Sequence, residues 1–231
     1  MPYPGKYSKS ASTRSVNRAV YNNGKRAMSA ERKMVNIAKS EISKVVNVEY
    51  KHHGASTGFT TVNPSVVYLL NGIGEGDGAS NRDGRQIKLT SIGIRGMVQM
   101  TGSASPTVMR ISVVRANFST GGTFGASDFL SGTNGGSDTA IFEFNDTDEQ
   151  KNYTTLHNEW ISLGDEGAFG LYKMFEWYKQ YKDGWHVQYN TGTAVESAVS
   201  HGALFLVVST NHSGASPPQM SFQSRVRYID N

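Results

Sequence analysis

The chain has 231 residues, no cysteine, 25 glycines, 18% charged residues and a formal net charge of +4. Without cysteine there is no disulfide framework, no Cys-ligated zinc, no thiolate nucleophile and no iron–sulfur cluster. The longest wholly apolar run is the six residues Ala203 to Val208, far short of a bilayer span, so no membrane insertion is expected. No apolar segment follows the basic N-terminus, so secretion by a signal peptide is not expected either.

The net charge is a sum of two unlike parts. From Met1 to Lys51 there are eleven Lys and Arg against three Glu, or +8. The rest holds 23 − 11 = 12 basic and 19 − 3 = 16 acidic residues, or −4. Met1 to Met28 contains no acid and no apolar periodicity, and reads as a disordered basic arm. From Ser29 the pattern changes. Met34, Ile37, Ala38, Ile42 and Val45 recur at helical spacing, Ser29 can cap, and Glu31 suits a first turn, so a helix is predicted over about 30–44.

After Val45 the signal is β. Val46, Val48 and Tyr50 alternate with polar residues, and Val66 to Leu70 is a short apolar run. Asn71 to Gly84 is a glycine-rich loop. Gln86 to Thr101 is strand-like but changes phase, with Ile87 and Leu89 on one parity and Ile92, Ile94, Val98 and Met100 on the other. A bulge near Thr90–Ser91 reconciles the two. Thr107 to Asn117 is the next strand, and Ser127 to Leu130 one helical turn in a Gly-rich loop. Asn152 to Leu163 is a strand with a second parity change. Phe169 to Lys182 is an aromatic strand, and Asp183–Gly184 predicts a two-residue hairpin to Trp185–Asn190. His201 to Thr210 reads as a central strand buried on both faces, and Met220 to Ile229 as the closing strand. About eight strands with little helix predict an all-β antiparallel sandwich or jelly roll.

Motifs for chemistry are weak throughout. Gly72-Ile-Gly-Glu-Gly-Asp-Gly78 lacks the Lys and the following helix of a phosphate loop. Glu75, Asp77 and Asp83, like Asn145 to Glu149, lack the terminal Glu of a calcium loop and read as solvated acidic turns. The six histidines form no H-x-x-x-H pair, and no G-x-S-x-G elbow occurs. Four N-x-S/T sequons, at Asn117, Asn145, Asn152 and Asn211, read as chance matches without a signal peptide. No catalytic residue, metal site or cofactor is expected.

Two features stand out instead. Eight aromatic rings fall between Phe169 and Tyr189. Such rings can stack bases or sugars, or form core and subunit contacts. Strand parity groups Phe169, Leu171, Phe175, Trp177 and Tyr181 as a buried face and puts Tyr172 and Tyr178 opposite. Tyr172, Tyr178 and Trp185 are the candidate subunit contacts. The other feature is the arm, whose spread cations Lys6, Lys9, Arg14, Arg18, Lys25, Arg26, Arg32 and Lys33 suit non-specific contact with nucleic-acid phosphates.

Four stretches carry a family resemblance: Asn81-Arg-Asp-Gly-Arg-Gln-Ile-Lys-Leu-Thr-Ser-Ile92, Val108-Met-Arg-Ile-Ser-Val-Val114, Lys151-Asn-Tyr-Thr-Thr-Leu-His157 and Ser224-Arg-Val-Arg-Tyr-Ile-Asp230. In order and spacing, with the basic arm before them, the chain resembles the capsid proteins of circular, Rep-encoding single-stranded DNA viruses (the circovirus-like, or CRESS-DNA, group) from about Val46 onward. The resemblance implies a viral-capsid-type jelly roll of eight strands over 46–231, behind an arm at 1–45. It implies about sixty copies in a small T=1 icosahedral shell. It further implies an arm on packaged single-stranded DNA, residence in the virion, and assembly in a host nucleus. The arm departs from the dense Arg runs usual in that group. A host receptor would be a further partner, with nothing in the sequence to name it. Other readings of the residues are the coat protein of a small RNA virus, a carbohydrate-binding β-sandwich using the aromatic strand as platform, and a cupin-type metal enzyme.

Overall fold

The computed structural model describes residues 31–38, 49–101, 107–118, 124–130, 152–164, 172–212 and 216–230. The chain divides into two compact units, Met1–Val48 and Glu49–Asn231. In the first, residues 31–38 form a helix, α1, exposed at every position. The other positions of the helix expected over 30–44 lie outside the described residues, as does the arm before it.

The second unit is built from nine strands among the described residues. They are β1 (Glu49–Thr61), β2 (Ser65–Leu69), β3 (Gln86–Gln99), β4 (Thr107–Ala116), β5 (Tyr153–Leu163), β6 (Tyr172–Tyr189), β7 (Val199–His201), β8 (Leu204–Thr210) and β9 (Gln219–Asp230). One sheet has the order β1-β9-β3-β6-β7 and the other β2-β8-β4-β5. Every neighbouring pair is antiparallel. Leaving aside the three-residue β7, four strands fall in each sheet, and successive strands change sheet at every step except β4 to β5. First and last strands pair, as do β2 with β8 and β3 with β6. That nesting of early strands with late ones is the double Greek key of a jelly roll.

Burial explains the order. All seven residues of β8 are buried, because β2 and β4 flank it, the other sheet covers one face, and Phe124 stacks on Phe205 on the other at 4.4 Å. β9 alternates, with Met220, Phe222, Val226 and Tyr228 inside and Gln223, Arg225 and Arg227 outside. In β3 the expected phase change is real. Leu89 pairs with Tyr228 and Ser91 with Arg227, so Thr90 is the extra residue of a bulge. Ile87 and Leu89 before it, and Ile92, Ile94 and Val98 after it, all reach the core. In β5, Val113 and Val114 pair with His157 and Thr155, leaving Leu156 as the extra residue.

Two expectations are corrected. Asp183–Gly184 is no hairpin. β6 runs unbroken from Tyr172 to Tyr189, with Leu89 opposite Trp185 and Ser91 opposite Gln180. Four residues, 181–184, thus stand against Thr90 alone, and Gly184 takes the left-handed φ of 61° that the bulge needs. Pairing both halves with β3 buries Phe175, Val187 and Tyr189 on one face. That burial outweighs a local turn preference worth far less. The second correction is β1, which extends to Thr61. Its Gly-Ala-Ser-Thr-Gly stretch shows no hydrophobic alternation, and pairing with β9 holds it.

The loop Asn71 to Gly84 leaves its acids Glu75, Asp77 and Asp83 exposed, yet it encloses a buried cation. Arg82 within it is fully buried. Its Nε donates to the Ile73 carbonyl at 3.0 Å, and its terminal nitrogens donate to the Gly84 and Thr191 carbonyls. The guanidinium lies 4.1 Å over the Tyr189 ring, with the Glu75 carboxylate 3.7 Å away. Tyr189 in turn donates to the Asn71 carbonyl at 3.0 Å. The buried Asn71 amide binds Gly202 O and Leu204 N. Next to Arg82, Asp83 accepts from the buried Lys51 at 2.9 Å, and Lys51 also reaches Asp230 at 3.2 Å.

Replacing Arg82 by Met should therefore cost about 3–5 kcal/mol of unfolding free energy, because three carbonyls and Glu75 lose their partner. Urea unfolding measures it, and a loss below about 1 kcal/mol would refute this account of the loop.

Alkaline pH gives a second check. Burial, then the nearby Asp230 carboxylate, pushes the Tyr228 phenol up to about 12, against an opposing pull from Lys51. Burial likewise pushes Tyr181 up to about 12. For Lys51 burial acts to lower the pKa, but bonds to Asp83, Asp230 and Glu49 override it and the net shift is upward. All three groups hold their protons more tightly folded than unfolded. Their contribution is complete below the unfolded pKa values near about 10 and is lost as pH rises through about 12. The urea midpoint should fall between pH 9 and 11.5, and a flat profile would contradict it.

Candidate interaction surfaces

Outside the core, the larger sheet presents its other face to solvent. On β6 the even-numbered residues point outward, so Tyr172, Met174 and Tyr178 stand 59%, 77% and 56% exposed. Phe59 of β1 is exposed beside them. Phe59, Met97 and Met174 border a shallow groove of about 570 Å³ floored by Gly96, Phe175 and Phe222. Several large apolar side chains on one edge of an otherwise polar sheet mark an interaction surface.

The three aromatic residues singled out by sequence do not share one environment. Tyr172 and Tyr178 belong to the exposed face. Trp185 has the parity of the buried residues and packs against the core. Its ring meets Tyr181 edge-on at 4.1 Å, and the Arg115 guanidinium lies 5.4 Å over it. The hairpin expectation hid this, because the bulge at 181–184 keeps Trp185 on the face of Tyr181. Trp177, also inward, stacks on His157 at 5.3 Å. Met174 and Phe59 were missed in the sequence, since a lone apolar residue in an irregular alternation gives no sign of which face it takes.

Of the eight candidate nucleic-acid-binding cations, Lys6, Lys9, Arg14, Arg18, Lys25 and Arg26 lie outside the described residues. Arg32 and Lys33 are exposed on α1. Among the described residues no three His, Cys, Asp or Glu side chains gather as metal ligands. No helix among them is long and apolar enough to cross a membrane.

The strand order defines a two-sheet jelly roll. No family model matches the chain, and no curated protein matches it. Among solved structures it is similar to Desmodium yellow mottle tymovirus, at TM-score 0.34 and 10% identity over 79% of this chain and 87% of that one. It is also similar to the infectious bursal disease virus VP2 subviral particle, at TM-score 0.23 and 9% identity over 80% of this chain and 33% of that one. The Gx strain of infectious bursal disease virus gives TM-score 0.21 and 10% identity over 79% and 30%. The chain spans about a third of the length of the two bursal disease virus chains.

Replacing Tyr172 and Met174 together by Ser should shift subunit stability by less than about 0.5 kcal/mol, because both are exposed. Self-association, followed by sedimentation velocity, should weaken markedly. Unchanged association would show that this edge makes no subunit contact.

Proposed function

We propose that the chain is a viral capsid subunit that self-assembles into a small icosahedral shell and packages circular single-stranded DNA through its basic arm. The single observation that carries this reading is the jelly-roll strand order in a unit that follows a segment of +8. A carbohydrate-binding module or a metal enzyme gives such a segment no task. Its cations at Lys6, Lys9, Arg14, Arg18, Lys25, Arg26, Arg32 and Lys33 are spread along the sequence and suit phosphates by charge, and not any base sequence. Outside local cationic patches, the net −4 of the body disfavours adhesion of the same polymer. The apolar edge at Phe59, Met97 and Met174 is the subunit contact of this reading. DNA rather than RNA as cargo rests on the family resemblance, since phosphate contact does not distinguish the sugar. The same resemblance supports residence in the virion and assembly in a host nucleus.

Nuclease protection tests the reading. Protein expressed with the circular single strand should sediment as particles whose nucleic acid resists external DNase and yields to it once the particles are opened. Changing the six cations from Lys6 to Arg26 to Gln should remove most of that protected nucleic acid. Equal protected DNA in the arm variant would remove the arm from the account.

A further inference from the structure

The outward face of the larger sheet carries a cationic trench that adjoins the apolar groove, the two sharing Arg95, Glu176 and Gln223. Strand registers place four residues in one row across it. Gly54 of β1 pairs with Arg225 of β9, Arg225 with Gly93 of β3, and Gly93 with Tyr178 of β6. Arg225 thus stands between two glycines and has no side chain beside it on either neighbouring strand. The rows on each side add Arg227 and Arg95. All three arginines are exposed, and none forms an ion pair with a described residue, although Glu176 faces Arg95 across the register. Together they line a depression of about 480 Å³. Arg225 and Arg227, two residues apart on one strand, are roughly 6.8 Å apart along the face.

Tyr178 completes the arrangement. A Cβ on Gly93 would lie 3.3 Å from the Tyr178 ring, so the ring rests over that glycine while 56% of the residue stays exposed. The missing Cβ of Gly93 makes room for the ring, which stays more than half exposed in a trench with three guanidinium groups. Arg forks match phosphate oxygens, and a bare ring matches a base that is free to unstack. A duplex hides its bases from such a ring.

We propose that this trench is a second contact for single-stranded nucleic acid, built on the folded sheet. Arg95, Arg225 and Arg227 hold the backbone, and Tyr178 stacks one base. This takes Tyr178 out of the subunit contact. The inference rests on the capsid reading only for the identity of the cargo.

The test uses the full chain and a short labelled oligothymidine, with affinity read by fluorescence anisotropy across a salt series. Changing Arg225 and Arg227 together to Gln should lower the slope of log K against log salt by about 1.4, two phosphates at about 0.7 each. Tyr178→Leu still covers Gly93 but has no π-face. It should weaken oligothymidine binding by about fivefold or more with the slope unchanged, and leave heparin binding as it was. Wild-type slope in the double variant, or wild-type affinity in Tyr178→Leu, overturns the proposal. So does an equal loss of heparin binding in Tyr178→Leu. A variant with the six arm cations Lys6 to Arg26 changed to Gln separates the two contacts. If it loses all binding while the trench variants bind like wild type, the trench fails and the arm stands. If it binds like wild type while the trench variants do not, the trench stands and the arm fails.

Discussion

The second unit turns on Arg82. A guanidinium with no solvent exposure is costly unless it is paired and hydrogen-bonded, and here the carbonyls of Ile73, Gly84 and Thr191 accept three of its N–H groups while Glu75 supplies the opposite charge. Through the Tyr189 ring it reaches β6, and through Tyr189 and Asn71 it reaches Leu204 at the start of β8, in the other sheet. One residue further, Asp83 takes the Lys51 ammonium and donates its backbone N–H to Asp230 at 2.6 Å, joining β1 to β9. Tyr228 donates to the Asn81 carbonyl. Residues 81–84 therefore fasten both sheets and the first and last strands at one end of the sandwich. With no disulfide to constrain it, a loop of that length needs such a network to hold one shape.

Much of the strand pattern was legible because burial writes it into parity. The alternation in β9, the continuous apolar run of β8 and the bulge at Thr90 all follow from which side chains reach the core. Legibility failed where local and long-range preferences disagree. Asp183–Gly184 has the chemistry of a hairpin, yet the core residues on both sides of it want the same neighbour, β3, and the turn becomes a bulge. It failed again in β1, where Gly54 to Gly58 carries no pattern and the backbone ladder alone makes a strand.

The surfaces were less legible than the core. The exposure of Tyr172 and Tyr178 followed from parity, but the inward set of Trp185 depended on the unforeseen bulge. Arg82 sat in a quoted motif, Asn81-Arg-Asp-Gly84, without revealing that it is buried. Its partners are backbone carbonyls, which a sequence does not display. The trench on the outer face was invisible for a different reason. Gly54, Arg225, Gly93 and Tyr178 come from four strands, and only the registers bring them into one row.

Charge and apolar surface are divided in space along this chain. The positive excess lies before residue 52, the body is acidic, and the larger sheet sets an apolar groove beside an arginine trench. The proposed shell-forming subunit gives each part of that division a task. The mass of the expressed protein in solution tests that claim most directly. Sedimentation equilibrium should give particles above roughly 1.5 MDa, the protein mass of about sixty copies of a 25.2 kDa chain, the excess being nucleic acid seen in the absorbance. A 25.2 kDa monomer across salt and pH, with no bound nucleic acid, would contradict it.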